Sequence, residues 1–411
     1  MMSDGSGNQA AAAVENPDEE DARKSFRQRF RWASRDRLGG RTGDIIAAIN
    51  KPLADVVRDH VLLYLPPASL FRFLSVHPSW RQVISSALFA HTHSRTHLSR
   101  LSGVFAGNDT SAPRLTFLSF DPRVDVIPRP TLSFLPDRLI SVRCSSNGLL
   151  CCFARRTNAY FICNPATSDW VRIPAPPNDP GPEPPLALIF EPSAYNFRSD
   201  FTLACAFEMS GGSGAYGFQT FSSATGRWMV SVAAAPVEGL DARSGVSAGG
   251  AAYWRTAIGT VVEYDPAKDQ ARVLQCPADA GMMWELGAAA GALSCVAATE
   301  FAVTAYALAR GDEWVEVGFA PVEPSGGEEE QEEEEEEEEE GVIVIRERPW
   351  PLRFYGANLE AALWVDGSVV AVDFRGRRMR RIGSVDADPS EMDYVAHINT
   401  LAPVAKTRKT F

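Results

Sequence analysis

The sequence predicts an α+β, multidomain chain: a short three-helix segment, then an all-β propeller of about six to seven blades. Two observations carry this. Residues 53 to 89 repeat apolar side chains at helical spacing. From Gly103 onward, β-branched and aromatic runs broken by Gly, Pro, Asn and Asp recur about every 40 to 50 residues. Charge adds a third point. The formal net charge is −12, yet Glu328–Glu330 and Glu332–Glu340 supply twelve negatives, so the rest of the chain is balanced. At 411 residues and 45% hydrophobic content there is room for two or three domains with a true core.

In the helical segment, Leu53, Val56, Val57, Val61, Leu62 and Leu65 form one stripe, which Pro66 and Pro67 end by removing backbone donors. Ser69 reads as the N-cap of a second helix bearing Leu70, Phe71, Phe73, Leu74 and Val76. Pro78 breaks that helix. Trp80, Val83, Ile84, Leu88 and Phe89 fit a third stripe, which runs on through the histidines and ends near Gly103. Three such short helices cannot bury all this apolar surface against one another, so part of it is expected to meet a partner. His93 and His97 stand at the i, i+4 spacing of metal ligands. His91 falls off that face and no Cys or carboxylate adjoins, so solvent-facing histidines on a linker helix are the expectation.

Two clusters, Val61-Leu62-x-x-Leu65-Pro66-Pro67-x-Ser69-Leu70 and Val76-x-x-Ser79-Trp80-Arg81-x-x-Ile84-Ser85, resemble the F-box. Departures are Pro52 before rather than after Leu53, His60 in place of an acid, and His77-Pro78 in the middle helix. The resemblance implies docking on a Skp1-type adaptor, and through it a cullin, by Leu53, Val57, Val61, Leu62, Leu65, Pro66 and Leu70. Trp80, Ile84 and Phe89 are open to either role, holding the helices together or touching the adaptor.

Residues 1–44 read as a disordered tail. Within it, residues 23–41 carry eight basic residues (Arg23, Lys24, Arg27, Arg29, Arg31, Arg35, Arg37 and Arg41) against Asp36, with Phe26, Phe30 and Trp32 interleaved. A nuclear-import signal, an RNA- or phosphate-binding arm and an anionic-membrane helix are the functional readings; a solvated, partly helical tail is the plainer one. Gly39, Gly40 and Gly43 form a hinge into the helical part, assigned to residues 45–100.

The propeller is assigned to residues 103–411. Its repeat is an apolar run, a turn and a return strand. The copies are Tyr160 to Pro174, Phe218 to Val230, Val261 to Val273, Ala305 to Val315 and Val369 to Met379, with Trp170, Trp228 and Trp314 at nearly one offset. Between copies, glycine-led hairpins are signalled at Ser146–Cys152, Gly249–Trp254 and Gly291–Val296, and an apolar return at Ala362–Val365. Two hairpins per unit are the signature of a propeller blade. Ser146-Asn147-Gly148-Leu149-Leu150-Cys151 and Cys163-Asn164-Pro165-Ala166-Thr167-x-x-Trp170 resemble the kelch-like F-box-associated domain of plant F-box proteins. Pro174 to Pro185 should be an extended connection, and residues 324–341, with the polyglutamate run, a disordered loop. Its functional readings are binding of a basic partner or a clamp on the basic arm; an inert expansion is the plainer one.

No nucleophile, metal or phosphate signature stands out. Gly211–Gly214 lacks the following Lys-Ser/Thr of a P-loop and reads as a hairpin loop. Adjacent Cys151 and Cys152 point to opposite faces of a strand and read as packing. Asp386 and Asp388 fall in a terminal loop. Seven cysteines without a C-x-x-C pair, and no apolar signal core after Met1, lead us to expect a cytoplasmic or nuclear protein. No run approaches the length of a membrane helix. Neither a membrane nor nucleic acid is an expected partner, and no cofactor or catalytic residue is assigned. The expected function is that of a non-catalytic, substrate-recruiting subunit of a Skp1–cullin–F-box ubiquitin ligase, with an unknown protein substrate on the propeller. The alternatives are an enzymatic or sugar-binding propeller, which would gather carboxylates and aromatics at one mouth of the ring, and a scaffold outside any ligase.

Overall fold

The computed structural model describes residues 53–96, 101–107, 115–124, 127–209, 214–277, 283–289, 291–322, 349–355, 360–385 and 392–406. The expected tail and basic arm (1–44), the glycine hinge, His97, Gly211–Ser213, the polyglutamate loop, Asp386 and Asp388 lie outside these residues.

The first apolar stripe does not form one continuous α-helix. Helix α1 (Leu53–Val56) passes into a π turn (Val57–Val61) and a 3-10 turn (Leu62–Tyr64). The run is rich in valine, whose branched Cβ crowds the preceding helical turn. The prolines start helices as well as ending them. Pro67 is the first residue of α2 (Pro67–Phe73), ahead of the expected Ser69 cap, and Pro78 begins α3 (Pro78–Ile84). At a first helical position the missing N–H would have had no intrahelical partner. His77 caps α3 by accepting from Ser79 N at 3.2 Å. The third stripe splits at Ser85 and Ser86, and α4 follows (Ala87–Thr96), with Ser86 Oγ accepting from Phe89 N at 3.2 Å. Leu62, Leu70, Ile84 and Phe89 are the buried centre of this helical module. Trp80 ties its ends together, donating Nε1 to Ala54 O at 2.9 Å and lying 5.5 Å from the Phe73 ring.

Six blades follow among the described residues. The first contributes β1 (Gly103–Gly107) and β2 (Leu115–Ser119). The second is β3 (Ser141–Ser146), β4 (Leu149–Ala154), β5 (Ala159–Asn164) and β6 (Asp169–Ile173). The third is β7 (Leu186–Ile189), β8 (Thr202–Glu208), β9 (Tyr216–Ser222) and β10 (Arg227–Ala235). The fourth is β11 (Val246–Ala248), β12 (Ala251–Arg255), β13 (Thr260–Asp265) and β14 (Gln270–Gln275). The fifth is β15 (Met283–Ala289), β16 (Ala292–Ala298), β17 (Ala302–Leu308) and β18 (Trp314–Pro321). The sixth is β19 (Trp350–Tyr355), β20 (Glu360–Val365), β21 (Ser368–Asp373) and β22 (Arg378–Ser384). Finally β23 (Asp393–His397) returns as the inner strand of the first blade, pairing Gly103 with His397 and Gly107 with Asp393. The ring is thus closed by hydrogen bonds between the two ends of the propeller, which leaves it no open seam.

The five repeat copies read from sequence are the outer hairpins β5–β6, β9–β10, β13–β14, β17–β18 and β21–β22. The repeated tryptophans have a role between blades. Trp228 on β10 donates Nε1 to Pro174 O just beyond β6, and Trp314 on β18 donates to Gln275 O at the end of β14, both at 2.7 Å. Each therefore fastens its blade to the outer strand of the one before. Trp170 makes a different contact, edge-on to Phe161. Cys151 and Cys152 fall into separate cores on the two faces of β4, as strand alternation requires.

Candidate functional site

The inner strands surround the channel in the order β23, β3, β7, β11, β15, β19 and back to β23. Their starts gather at one mouth and their ends at the other. Residues near the starts of β15, β19 and β23 meet there in one cavity, whereas the turns after β3 and β7 are joined at the opposite end, where Asn147 Nδ2 donates to Phe190 O at 2.6 Å. The helical module sits at this second end. Leu401, four residues beyond β23, is buried among Leu62, Leu70, Ile84 and Phe89, and the His91 ring lies 5.0 Å from Phe197 in the β7–β8 loop. The inner strands β3, β19 and β23 have five or six residues. At about 3.3 Å per residue, they hold the two ends roughly 15–20 Å apart.

At the helical end, the seven residues expected to meet an adaptor separate into a surface and a floor. Leu53 and Val61 are 78% and 40% exposed. Val57, Leu65 and Pro66 are half-buried, whereas Leu62 and Leu70 are completely enclosed. Leu62 and Leu70 thus lie beneath the exposed residues, in the interior of the helical module. Tyr64, Val76 and Leu88 are further exposed apolar side chains on the module, which the sequence stripe did not single out as contacts. Ile84 and Phe89 belong to the interior with Trp80.

The expectation of solvent-facing histidines is also overturned. His91 and His93 are 4% and 0% exposed. His93 pairs through Nε2 with Leu65 O at 2.9 Å, and burial, with Arg95 nearby, lowers the pKa of His91. Helix α4 packs between the first turn and the propeller, so its histidine edge faces inward. Fixing Leu65 O through His93 also holds Leu65 and Pro66 at the rim of the exposed face.

At the opposite mouth a cavity of about 400 Å³ is lined by Asp241, Arg243, Arg255, Glu285, Trp350 and Asp393, among others. Its charges are interlocked. Arg255 Nη2 meets Asp241 at 2.6 Å and Glu285 at 3.4 Å, and its guanidinium lies 5.3 Å from the Trp284 ring. Asp393 bridges Arg143 at 3.5 Å and Arg243 at 3.2 Å, while Arg243 also grips Glu183. Burial works against the Arg255 charge, yet Glu285 and Asp241 outweigh it and raise its pKa. Burial likewise opposes the Glu183 carboxylate, but its hydrogen bond and charge contact with Arg243 pull the pKa down. These residues come from several separate connections and strand starts, so no local motif could have announced them. The arrangement places paired charges beside the aromatic side chain of Trp350. Among the described residues no group of three or more His, Cys, Asp or Glu is placed to hold a metal ion.

Comparison with known proteins fits this two-ended layout. The family described as F-box domain matches residues 53–92, and the family described as F-box protein At3g26010-like, beta-propeller, matches residues 128–288. F-box protein At5g49610 of Arabidopsis thaliana is 32% identical over 121 residues, covering 29% of this chain and 32% of that protein. F-box protein At5g03970 of the same plant is 25% identical over 230 residues, covering 52% and 54%. The chain thus spans about a third and about half of the lengths of these curated relatives. TolB from Acinetobacter baumannii (TM-score 0.42, 12% identity, 72% of this chain and 67% of that one) and a chain of the nidogen/laminin complex (0.38, 12%, 72% and 100%) are distant structural neighbours. Residues 53–92 match the F-box domain, and the part of the ring from β3 into β15, within residues 128–288, matches the β-propeller of F-box proteins.

Proposed function

We propose that this chain is a substrate-recruiting subunit of a Skp1–cullin–F-box ubiquitin ligase, acting in the cytoplasm or nucleus without catalysis of its own. The observation that carries this reading is the exposed apolar surface on the F-box helices, Leu53 and Val61 above all. Apolar surface of this kind at a folded module's rim marks a protein interface. In this reading Leu53, Val57, Val61, Leu65 and Pro66 meet the Skp1-type adaptor, while Leu62 and Leu70 keep them in place. The adaptor brings the cullin, and the far mouth of the propeller holds the protein substrate. Joining the two ends in one body raises the local concentration of target near the ubiquitin-loaded enzyme.

The test is co-purification of a Skp1-type adaptor with the full chain and with the double variant Leu53→Asp, Val61→Asp. Both positions are exposed, so the propeller and helices should stay folded while capture of the adaptor falls at least tenfold. Undiminished capture would remove this face from the reading. The charged, aromatic-walled cavity favours a second reading, a small-ligand-binding propeller outside any ligase. Failure to capture adaptor, together with saturable heat of binding for a small polar ligand, would select it.

A further inference from the structure

The two motifs that resemble the F-box-associated domain, around Ser146–Cys151 and Cys163–Trp170, belong neither to the exposed adaptor face nor to the charged cavity, and Leu149–Cys151 and Cys163–Ala166 within them are buried. Asn164 is fully enclosed. Its Nδ2 donates to Thr400 O at 3.0 Å and to Ala402 O at 2.7 Å, while its Oδ1 accepts from Ala166 N at 2.8 Å. Both of its amide hydrogens and its oxygen are engaged, the two hydrogens on one short stretch of chain. That stretch, residues 398–406, is the strap that follows the closing strand β23. The second motif meets the same strap. Gly148 has φ +99, and a Cβ there would stand 1.9 Å from Thr400 Oγ1; Thr400 Oγ1 in turn donates to Asn147 O at 3.3 Å. Between the two carbonyls held by Asn164 lies Leu401, and its side chain is buried in the F-box helical core. Ala402, Val404 and Ala405 turn the other way, into the core shared by the second and third blades. One peptide segment is therefore gripped by the propeller through its backbone and by the helices through one leucine.

We propose that Asn164 is a positioning residue. By holding the carbonyls on either side of Leu401, it fixes the F-box helices to the helical-end mouth of the ring. Asparagine suits the role because a neutral amide donates twice while its oxygen accepts from its own turn. An aspartate of the same shape would keep the Ala166 contact and lose both bonds to the strap. The mechanical part stands on these contacts alone. Its consequence, a constant distance between adaptor face and cargo mouth, rests on the proposed ligase role.

Hydrogen exchange on the full chain tests it, comparing wild type, Asn164→Asp and Leu401→Ala. Both variants should speed exchange in α4 and in residues 398–406 on the order of tenfold to a hundredfold, as expected for losing two buried hydrogen bonds or a buried leucine. Exchange in the fourth blade, β11–β14, should not change, and adaptor capture should persist. Unchanged exchange in α4, or equal acceleration in the fourth blade, would overturn the proposal. Leu401→Ala leaves the Asn164 hydrogen bonds intact and decides the matter if Asn164→Asp does not fold. Absence of adaptor capture by the wild-type chain would instead refute the ligase reading and leave the exchange result standing.

Discussion

His397 gives the propeller a defined sensitivity to acid. It ends the closing strand β23 and is completely enclosed, with the Phe105 and Phe117 rings edge-on at 5.5 and 6.3 Å. Its one side-chain hydrogen-bond partner among the described residues is the neutral Ser145 hydroxyl, at 3.4 Å from Nδ1. Burial alone pushes its pKa down to about 3 from an ordinary 6.5. The folded chain therefore stays unprotonated at His397 over a range in which the unfolded chain takes up a proton. Stability from this residue is fully present above about pH 6.5 and falls steadily as pH drops toward about 3. At about pH 4.5 the unfolded state has gained roughly two pK units, which at about 1.36 kcal/mol per unit is a loss of about 2 to 3 kcal/mol. Urea unfolding of the propeller, followed by tryptophan fluorescence at about pH 7.5 and 4.5, reads this directly when wild type is compared with His397→Gln. The variant should be less stable at neutral pH, because it sacrifices the aromatic packing, yet should show a shallower dependence on pH by about that amount. Parallel pH profiles for the two chains would refute the reasoning.

Three further outcomes follow from the same geometry. Leu62→Ala should destabilise the helical module by about 2 to 4 kcal/mol in thermal unfolding, whereas Leu53→Ala should cost well under 1, because only the first leaves a cavity. Trp228→Phe and Trp314→Phe keep a ring but lose the bond to the preceding blade, at about 1 kcal/mol each by urea titration; Trp170→Phe, which breaks no such bond, should change little. Gly148→Ala should cost more than about 2 kcal/mol from the clash with Thr400 and the positive φ, and Thr400→Ala should relieve only the clash, a coupling that a double-mutant cycle in urea measures.

Much of the fold was written in local pattern. Tyr160–Ile173 and its four counterparts carry an alternation and a turn within about a dozen residues, and each became an outer hairpin. The F-box stripe was equally local, since Leu62, Leu65 and Leu70 alternate with prolines that could only start or stop helices. What the stripe could not show was depth. Leu53 and Leu62 are the same residue type on one stripe, yet one is open and the other enclosed, because the α, π and 3-10 turns rotate them differently against α2 and α4. His91 and His93 misled for a related reason: a polar helix edge reads as solvated until a neighbouring body covers it. The cavity residues Asp241, Arg255, Glu285 and Asp393 carry no signature at all, being separated by up to 152 positions in the chain.

The sequence by itself determined the succession of a helical module and repeated four-stranded units, because hydrophobic period and turn chemistry act over a few residues. It also displayed the Ser146–Cys151 and Cys163–Trp170 motifs without revealing their use. Only the tertiary structure decided that the ring has six blades, since β23 must travel from the far end of the chain to complete the first. It also placed the F-box at one mouth and the charged cavity at the other. Asn164, Gly148 and Leu401 gain their meaning there, where burial and hydrogen bonding are set by segments more than 230 positions apart.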